Sequence, residues 1–248
     1  MNNHSAKENG RSQTEKIKVL GISASPRATI KNSSNNDNLS LSDSMLVRLM
    51  NHVEEFGGKH KIIRLADKKI APCAGCYSKD ENACIFPCIH EDDDTNGILE
   101  EIIGADALAF ATPIYWGSVS SLLRILIEKM TTLENNRWNI YDKTGRDPIE
   151  GKPYVLLSTQ ISEGSSLALT QMVWALTNMG LLLLPYGFIY KHALLERKIV
   201  KAGLRLIGER KFEWTENTIR LAARNLILLT TVLKDYSFDD GQEREPIC

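Results

Sequence analysis

Hydroxyl groups and an arginine follow the first apolar segment of the chain. Residues 17–22 read Ile-Lys-Val-Leu-Gly-Ile, and the sequence continues Ser-Ala-Ser-Pro-Arg up to Arg27. A second Ser-rich stretch, residues 38–46, lies at the start of a predicted helix. A helix N-terminus favours an anion because its N–H groups are unpaired and its dipole end is positive, and an arginine adds a charge-assisted bond. The pattern predicts a phosphate site, with a solvated turn and a serine helix cap as the alternative.

An aromatic loop follows a later apolar segment, residues 107–111. It reads Thr-Pro-Ile-Tyr-Trp-Gly and ends at Gly117. Tyr115 and Trp116 offer flat faces on which a planar ring can stack, and the glycine allows a close approach of the backbone. Packing of both aromatic side chains in the core is the alternative.

Four of the five cysteines fall within sixteen residues, in the spacing C-x2-C-x7-C-x3-C. Four thiolates can hold a zinc ion or an iron–sulfur cluster, and in a large cytosolic chain such a group is more often a metal or redox site than a disulfide framework. Buried or reduced structural thiols are the alternative. His90 and the acidic residues 91–94 are interpreted as a solvated loop before a helix. The cysteines are Cys73, Cys76, Cys84 and Cys88.

Alternating strands and helices must position these loops. Apolar, β-branched runs predict strands, and apolar residues at helical spacing predict helices. Five strands that alternate with helices indicate a doubly wound parallel sheet, which binds ligands at the carboxyl ends of its strands. The predicted strands are residues 17–22, 61–65, 107–111, 154–158 and part of 181–190, and the predicted helices are residues 45–56, 96–103, 118–131 (capped by Ser118), 167–179 and 199–234, the last interrupted near 212–215.

Composition limits the class of protein. The chain has 248 residues, 43% of them apolar, which suits one large α/β domain. The net charge of −1 gives no indication of a nucleic-acid partner. We find no apolar run that could span a membrane and no signal peptide, so a cytoplasmic protein is expected. Residues 1–15 are predicted to be a disordered leader, and residues 16–248 a single domain with a C-terminal helical extension. Neither a P-loop nor a G-x-G-x-x-G motif is present.

The segments Ile-Ser-Ala-Ser-Pro-Arg and Thr-Pro-Ile-Tyr-Trp-Gly-Ser-Val-Ser-Ser-Leu-Leu-Arg-Ile-Leu-Ile-Glu-Lys together resemble the NADPH-dependent FMN reductase family, over about residues 17–190. That family is flavodoxin-like, with strand order 2-1-3-4-5, and includes the iron–sulfur flavoproteins. The resemblance implies a homodimeric or homotetrameric oxidoreductase. Such an enzyme passes electrons from NAD(P)H through bound FMN to a quinone, a flavin or another small-molecule acceptor.

The resemblance also implies which residues bind the cofactor. The implied phosphate ligands are Ser25, Arg27, Ser40 and Ser42. Residues 28–39 form a longer loop than the family's usual one, so Ser34 or Asn35 can bind the phosphate instead. We nominate no catalytic residue, because the flavin performs the chemistry. The ring and ribityl chain are flanked by Pro113, Ile114, Tyr115, Trp116 and Gly117, and the pyrimidine edge by Thr159, Gln160 and Gly164.

The cysteines depart from the iron–sulfur flavoproteins, whose spacing is C-x2-C-x2-C with a fourth cysteine. Lys79 stands at the third position of that pattern. We therefore favour the absence of a metal, and keep an electron carrier with a cluster at the four cysteines as the alternative function. A phospho-receiver module needs acidic residues after strand one, where this chain has Ser23, Ser25 and Arg27. A flavin-free binding protein with the same fold is a further alternative.

Overall fold

The structure is a computed structural model, and it describes residues 15–27, 40–80, 83–134, 147–160, 164–192 and 205–235, with the backbone alone for residues 205–213 and 235. The leader predicted at residues 1–15 lies outside these ranges except for Glu15, and the single domain stays a prediction. The strands are β1 (Lys18–Ser23), β2 (Lys59–Arg64), β3 (Ala107–Tyr115), β4 (Ser118–Val119), β5 (Pro153–Gln160) and β6 (Leu182–His192), and the helices of two turns or more are α1 (Leu41–Glu55), α2 (Thr95–Gly104), α3 (Ser121–Glu134), α4 (Ser165–Asn178) and α5 (Arg205–Asp235).

The strands form a parallel sheet in the order β2-β1-β3-β5-β6. The short strand β4 pairs antiparallel with the end of β3 and lies off this path. Without β4, the order is the predicted 2-1-3-4-5. The sequence-based prediction of a doubly wound, flavodoxin-like fold is therefore confirmed.

Helices cover both faces of the sheet because successive strand residues point to opposite sides. On one side, Val19 packs with Leu46 of α1 and Leu226 of α5. On the other side, Leu20 packs with Leu126 of α3 and with residues of α2 and α4. These side chains are almost completely buried, so the sheet lies between two apolar layers.

Strand β3 is longer than predicted. The sequence predicted a strand over residues 107–111, but β3 continues to Tyr115 and turns back into β4. The last β3 residue paired with β1 is Ala111. Because Pro113 lies beyond that point, its missing N–H interrupts no bond of the β1 ladder. Pro113 still pairs with Thr159 of β5, so the predicted end of the strand at residue 111 is wrong.

The helix starts also differ from the predictions. Helix α1 begins at Leu41, because the Ser40 hydroxyl accepts a hydrogen bond of 3.1 Å from the Asp43 N–H and caps the helix. Ser118 lies in β4, so its predicted role as the cap of α3 is wrong. Ser120 takes that place, and its hydroxyl accepts a 3.4 Å bond from the Leu123 N–H.

The C-terminal helix α5 is continuous from Arg205 to Asp235, so the predicted interruption near residues 212–215 is wrong. The loop predicted at residues 132–152 begins with the last turn of α3, and its residues 135–146 lie outside the described ranges. Within the described part of the chain, each helix is too short or too polar to cross a lipid bilayer.

Candidate functional site

Three loops meet at the carboxyl ends of β1, β3 and β5. Ser23, the last residue of β1, pairs with Ala111, which also pairs with Leu157 of β5. Strand β3 then continues from Thr112 to Tyr115, so it extends ~13 Å beyond the end of β1 at 3.3 Å per residue. The end of β1 beside the longer β3 lies where the strand order reverses, which is the usual ligand site of a doubly wound sheet.

The loop after β1 and the first turn of α1 form a polar cradle, which we define as Ser23, Ser25, Arg27, Ser40 and Ser42. Ser25 is buried and its hydroxyl accepts a weak 3.4 Å bond from the Arg27 N–H. The hydroxyl oxygens of Ser40 and Ser42 lie 3.1 Å apart. The structure thus places the four predicted phosphate ligands near one helix N-terminus, and their role stays a prediction. The alternatives Ser34 and Asn35 lie outside the described residues.

Two charged residues that were not predicted from the sequence, Asp43 and Arg64, support the cradle. The Asp43 carboxylate is buried and accepts hydrogen bonds from the hydroxyl of Ser23, from that of Ser40 at 2.8 Å, and from Arg64 Nη1 at 3.0 Å. Arg64 Nη2 donates to the Arg27 carbonyl oxygen at 2.7 Å. An acid three residues after a capping serine is a helix-start signal that points to Asp43, whereas nothing near Arg64 in sequence indicates its partner.

The β3–β4 hairpin presents the predicted aromatic residues. Its two turn residues, Trp116 and Gly117, have φ angles of 52° and 73°, which is the signature of a type I′ turn. The relative exposure of Trp116 is 104%, and that of Tyr115 is 49%. The alternative in which both pack in the core is therefore wrong. A planar ring can therefore reach the Trp116 side chain and the exposed part of Tyr115.

The loop after β5 approaches the hairpin closely. A Cβ atom at Gly164, where φ is 132°, would lie 3.1 Å from the Gly117 Cα. Thr159 and Gln160 are each 8% exposed. Gln160 Oε1 accepts a 2.8 Å bond from the Ser165 N–H at the start of α4. Residues 161–163 lie outside the described part of the chain.

Unpartnered hydroxyls at this edge fit a polar ligand. The hydroxyl oxygens of Ser158 and Ser165 are buried and have no hydrogen-bond partner in the described part of the chain. A buried group without a partner is unfavourable, so such atoms are usually satisfied by something that binds. Together with the helix N-terminus, Arg27 and the exposed aromatic hairpin, these donors fit the phosphate, the ring and the polar edge of FMN.

A second feature is a cavity lined by the four cysteines, here called the cysteine cavity. Cys73, Cys76 and Cys84 are half-buried and Cys88 is buried. Gly75, in the left-handed conformation at φ 64°, donates its N–H to Cys73 Sγ at 3.4 Å. Sequence spacing alone did not establish that the four residues share one cavity.

The electrostatics of the cysteine cavity disfavour free thiolates. Burial, followed by the neighbouring Cys73, Cys76 and Cys88, raises the pKa of Cys84 to about 11. Among the described residues, no three His, Cys, Asp or Glu side chains converge as a single metal ion requires. Four cysteines are the donor set of a zinc ion or of an iron–sulfur cluster. The cavity holds about 20 Å³, roughly the room of one water, so a cluster requires the cysteines to move apart.

Comparison with known sequences identifies relatives. The family model described as NADPH-dependent FMN reductase matches residues 17–193. An iron–sulfur flavoprotein of Methanocaldococcus jannaschii is 35% identical over 119 residues, which cover 47% of this chain and 53% of the relative. The chain spans about half the length of the curated relatives it matches.

Two solved structures share the fold. The crystal structure of RosB with bound 8-demethyl-8-formylriboflavin-5'-phosphate has a TM-score of 0.69 and 21% identity, covering 91% of this chain and 84% of RosB. The NAD(P)H:quinone oxidoreductase from Methanothermobacter marburgensis has a TM-score of 0.55 and 16% identity, covering 86% of this chain and 98% of that protein. At these identities the likeness establishes the architecture alone.

Proposed function

Because the chain belongs to the NADPH-dependent FMN reductase family, we propose that it is an FMN-dependent NAD(P)H oxidoreductase. It passes electrons from a nicotinamide to a quinone, another flavin or another small-molecule acceptor. One observation carries the proposal. The fully exposed Trp116 is held on a tight hairpin at the same sheet edge as the polar cradle. A phosphate group and a planar ring can therefore be bound together.

When bound, FMN supplies the hydride- and electron-transfer chemistry. The residues of the chain bind and orient it. Arg27 and the N-terminus of α1 neutralise the phosphate charge, and Trp116 and Tyr115 cover a face of the ring. Because Gln160 Oε1 already accepts from the Ser165 N–H, its Nε2 group remains as a donor for the ring. No side chain is required to act as an acid or base.

A second candidate function is electron transfer through an iron–sulfur cluster as well as FMN. The specific observation in its favour is that all four cysteines line one cavity. The relative from Methanocaldococcus jannaschii carries the name iron–sulfur flavoprotein. These two facts support the alternative, and our sequence-based preference for metal-free cysteines stays a prediction. Iron and sulfide analysis of anaerobically purified protein separates the two functions.

The proposal includes a cytoplasmic location and a homodimeric or homotetrameric assembly. Large apolar side chains are exposed on α4 and β6, where Trp174 is 71%, Tyr190 53% and Phe188 36% exposed. Such surfaces favour a subunit contact. Sedimentation of the purified protein with FMN tests the assembly, and a purely monomeric species contradicts it.

The test of the reductase compares wild type with Trp116→Ala and with the control Trp214→Ala. Trp214 is also exposed, at 66%, but lies on α5. We expect wild type and Trp214→Ala to retain flavin absorbance after desalting and to oxidise NADPH or NADH with a quinone. Trp116→Ala should bind FMN about tenfold more weakly, from the loss of stacking. Wild-type protein that binds no FMN would falsify the proposal.

A further inference from the structure

Lys152, which directly precedes β5, binds the C-terminal end of α2. Its Nζ donates to the carbonyl oxygens of Ile102 and Ile103 at 3.0 and 2.5 Å. These two oxygens are its hydrogen-bond partners in the described part of the chain, and they lie at the negative end of the helix dipole. The two N–H groups of a neutral amine are sufficient for two acceptors, and its lone pair then points away from both oxygens. The geometry therefore suits an unprotonated lysine.

The surroundings of Lys152 favour the same neutral form. Burial lowers the pKa of Lys152 to about 8, and the negative charge of Asp106 opposes this shift only in part. Below that pH, the fraction of neutral amine is about 300-fold higher than for a lysine with the ordinary pKa of 10.5. Only the unprotonated nitrogen attacks an electrophile, so desolvated lysines are the ones that form Schiff bases in proteins.

Lys152 also lines a cavity of about 300 Å³ at the end of the sheet opposite the polar cradle. Pro148 and Leu233 contribute apolar walls. Lys234 lines the cavity as well, is 42% exposed and pairs with Asp106 at 2.9 Å, so the cavity can be reached from solvent. A volume at the lower end of the range for ligand pockets suits a small molecule.

We propose that Lys152 is a covalent binding site for small aldehydes, which it binds as a Schiff base. In this step the amine nitrogen bonds to the carbonyl carbon, and the bond between that carbon and its oxygen breaks. The oxygen leaves as water with one proton from the amine and one from the solvent. The nitrogen keeps one N–H and becomes a positively charged iminium, and no group is oxidised or reduced.

The charges around the nitrogen select aldehydes among the electrophiles that react with amines. The iminium keeps a positive charge beside the helix carbonyls, which favour a cation, and one N–H to donate to them. An acyl donor would leave a neutral amide, and carbon dioxide would leave an anionic carbamate. Asp106 and Glu150 line the same cavity and disfavour an anion, while the ammonium of Lys234 is already paired with Asp106.

The aldehyde site is separate from the flavin site. Lys152 precedes the first residue of β5 and Gln160 is the last, so the two ends of the strand lie ~26 Å apart at 3.3 Å per residue. The inference is therefore independent of the proposed reductase, and protein without FMN is expected to give the same result.

The experiment treats the full chain with butanal and sodium cyanoborohydride, which reduces the iminium to a stable secondary amine. Peptide mass spectrometry then measures the modification of each lysine. At neutral pH, Lys152 should be modified at least tenfold faster than Lys59, an exposed lysine at the start of β2. The rate at Lys152 should level off near pH 8, whereas that of an ordinary lysine rises up to 10.5. Modification of Lys152 no faster than that of Lys59 overturns the inference.

The role of the cavity is tested with Leu233→Trp, which fills the space and leaves the amine in place. The control is Leu228→Trp on the same helix, where the side chain is 53% exposed and does not line the cavity. Modification of Lys152 should fall at least tenfold in Leu233→Trp and stay unchanged in Leu228→Trp. Equal modification of both variants and wild type overturns the inference. If circular dichroism shows that Leu233→Trp is unfolded, the comparison of Lys152 with Lys59 in wild type decides alone.

Discussion

Arg64 Nη1 lies 3.0 Å from Asp43 Oδ2, and this ion pair joins the ends of two strands to the start of a helix. Ser23 and Arg64 are register partners at the carboxyl ends of β1 and β2. Ser23 donates to the same carboxylate, and Arg64 also holds the Arg27 carbonyl oxygen. The pair therefore fixes the backbone of the polar cradle. It also neutralises an acid that would repel a phosphate.

Replacing Arg64 by Met should weaken FMN binding at least tenfold, or about 1.4 kcal/mol. The Asp43 charge loses its cation, and the Arg27 backbone loses its donor. Flavin fluorescence titration measures the change. The control is Arg48→Met, which removes the ion pair between Arg48 and Glu216 at 3.3 Å, elsewhere on α1. Equal affinities for both variants would contradict a role for Arg64 in the cradle.

Gly164→Ala should destabilise the protein by about 1–3 kcal/mol and weaken FMN binding. A φ of 132° is strained for alanine, and its Cβ would lie 3.1 Å from the Gly117 Cα in the hairpin. Chemical denaturation and flavin titration measure the two effects. The control is Gly97→Ala on α2, where a Cβ meets no atom within 4 Å, and which should stabilise the helix by up to about 1 kcal/mol. Unaltered stability of Gly164→Ala would rule out the close contact of the two loops.

Asp93→Asn should reduce stability at neutral pH by about 2 kcal/mol. Burial raises the pKa of Asp93, but hydrogen bonds from Thr95 and Ala71 and the charge of Lys129 outweigh it and lower the pKa to about 2. A lowered pKa in the folded state contributes stability that is present above 3.8, its ordinary value, and is lost as the pH falls through 2. Urea unfolding of metal-free protein between pH 7 and 2 measures this, and the deficit of the variant should vanish at the acid end.

Lys152→Met should remove an alkaline rise in stability. Burial lowers the pKa of Lys152 to about 8, with a smaller opposing effect of Asp106. Between pH 8 and its ordinary value of 10.5, the unfolded chain binds the proton that the folded chain has released, so wild type gains stability with rising pH. The unfolding free energy of wild type minus that of Lys152→Met should therefore rise over that range. A constant difference would show that the ammonium is not affected by burial.

The strands themselves were predictable because buried parallel strands leave a local signal in apolar, β-branched runs, whereas their order was implied by the family resemblance. The same alternation placed the loops after β1, β3 and β5 at one edge. It did not give the length of β3, because a proline normally ends a strand and here it lies past the last partner on β1. Because the hairpin places Ser118 in β4, Ser120 is the residue that caps α3.

The supporting residues of both sites were beyond a reading of the sequence because they depend on contacts between distant segments. Asp43 and Arg64 meet only once β1 and β2 are in register. Helical spacing pointed to the apolar face of α3, and nothing in that pattern indicates that Lys129 is buried as well. The fold class and the aromatic residues after β3 were thus accessible from local patterns, whereas the hairpin that presents them and the ion pairs were not.

Cys88 differs from the other cysteines in how its backbone is held. Its N–H donates to Asn96 Oδ1 at 2.7 Å, and its carbonyl oxygen accepts from Asn96 Nδ2 at 2.9 Å. The side-chain amide of Asn96, at the start of α2, thus bonds to both backbone groups of Cys88. Cys88 therefore has a fixed backbone position in the wall of the cysteine cavity. We expect Asn96→Ala to speed hydrogen exchange at the Cys88 amide, because that amide then loses its acceptor.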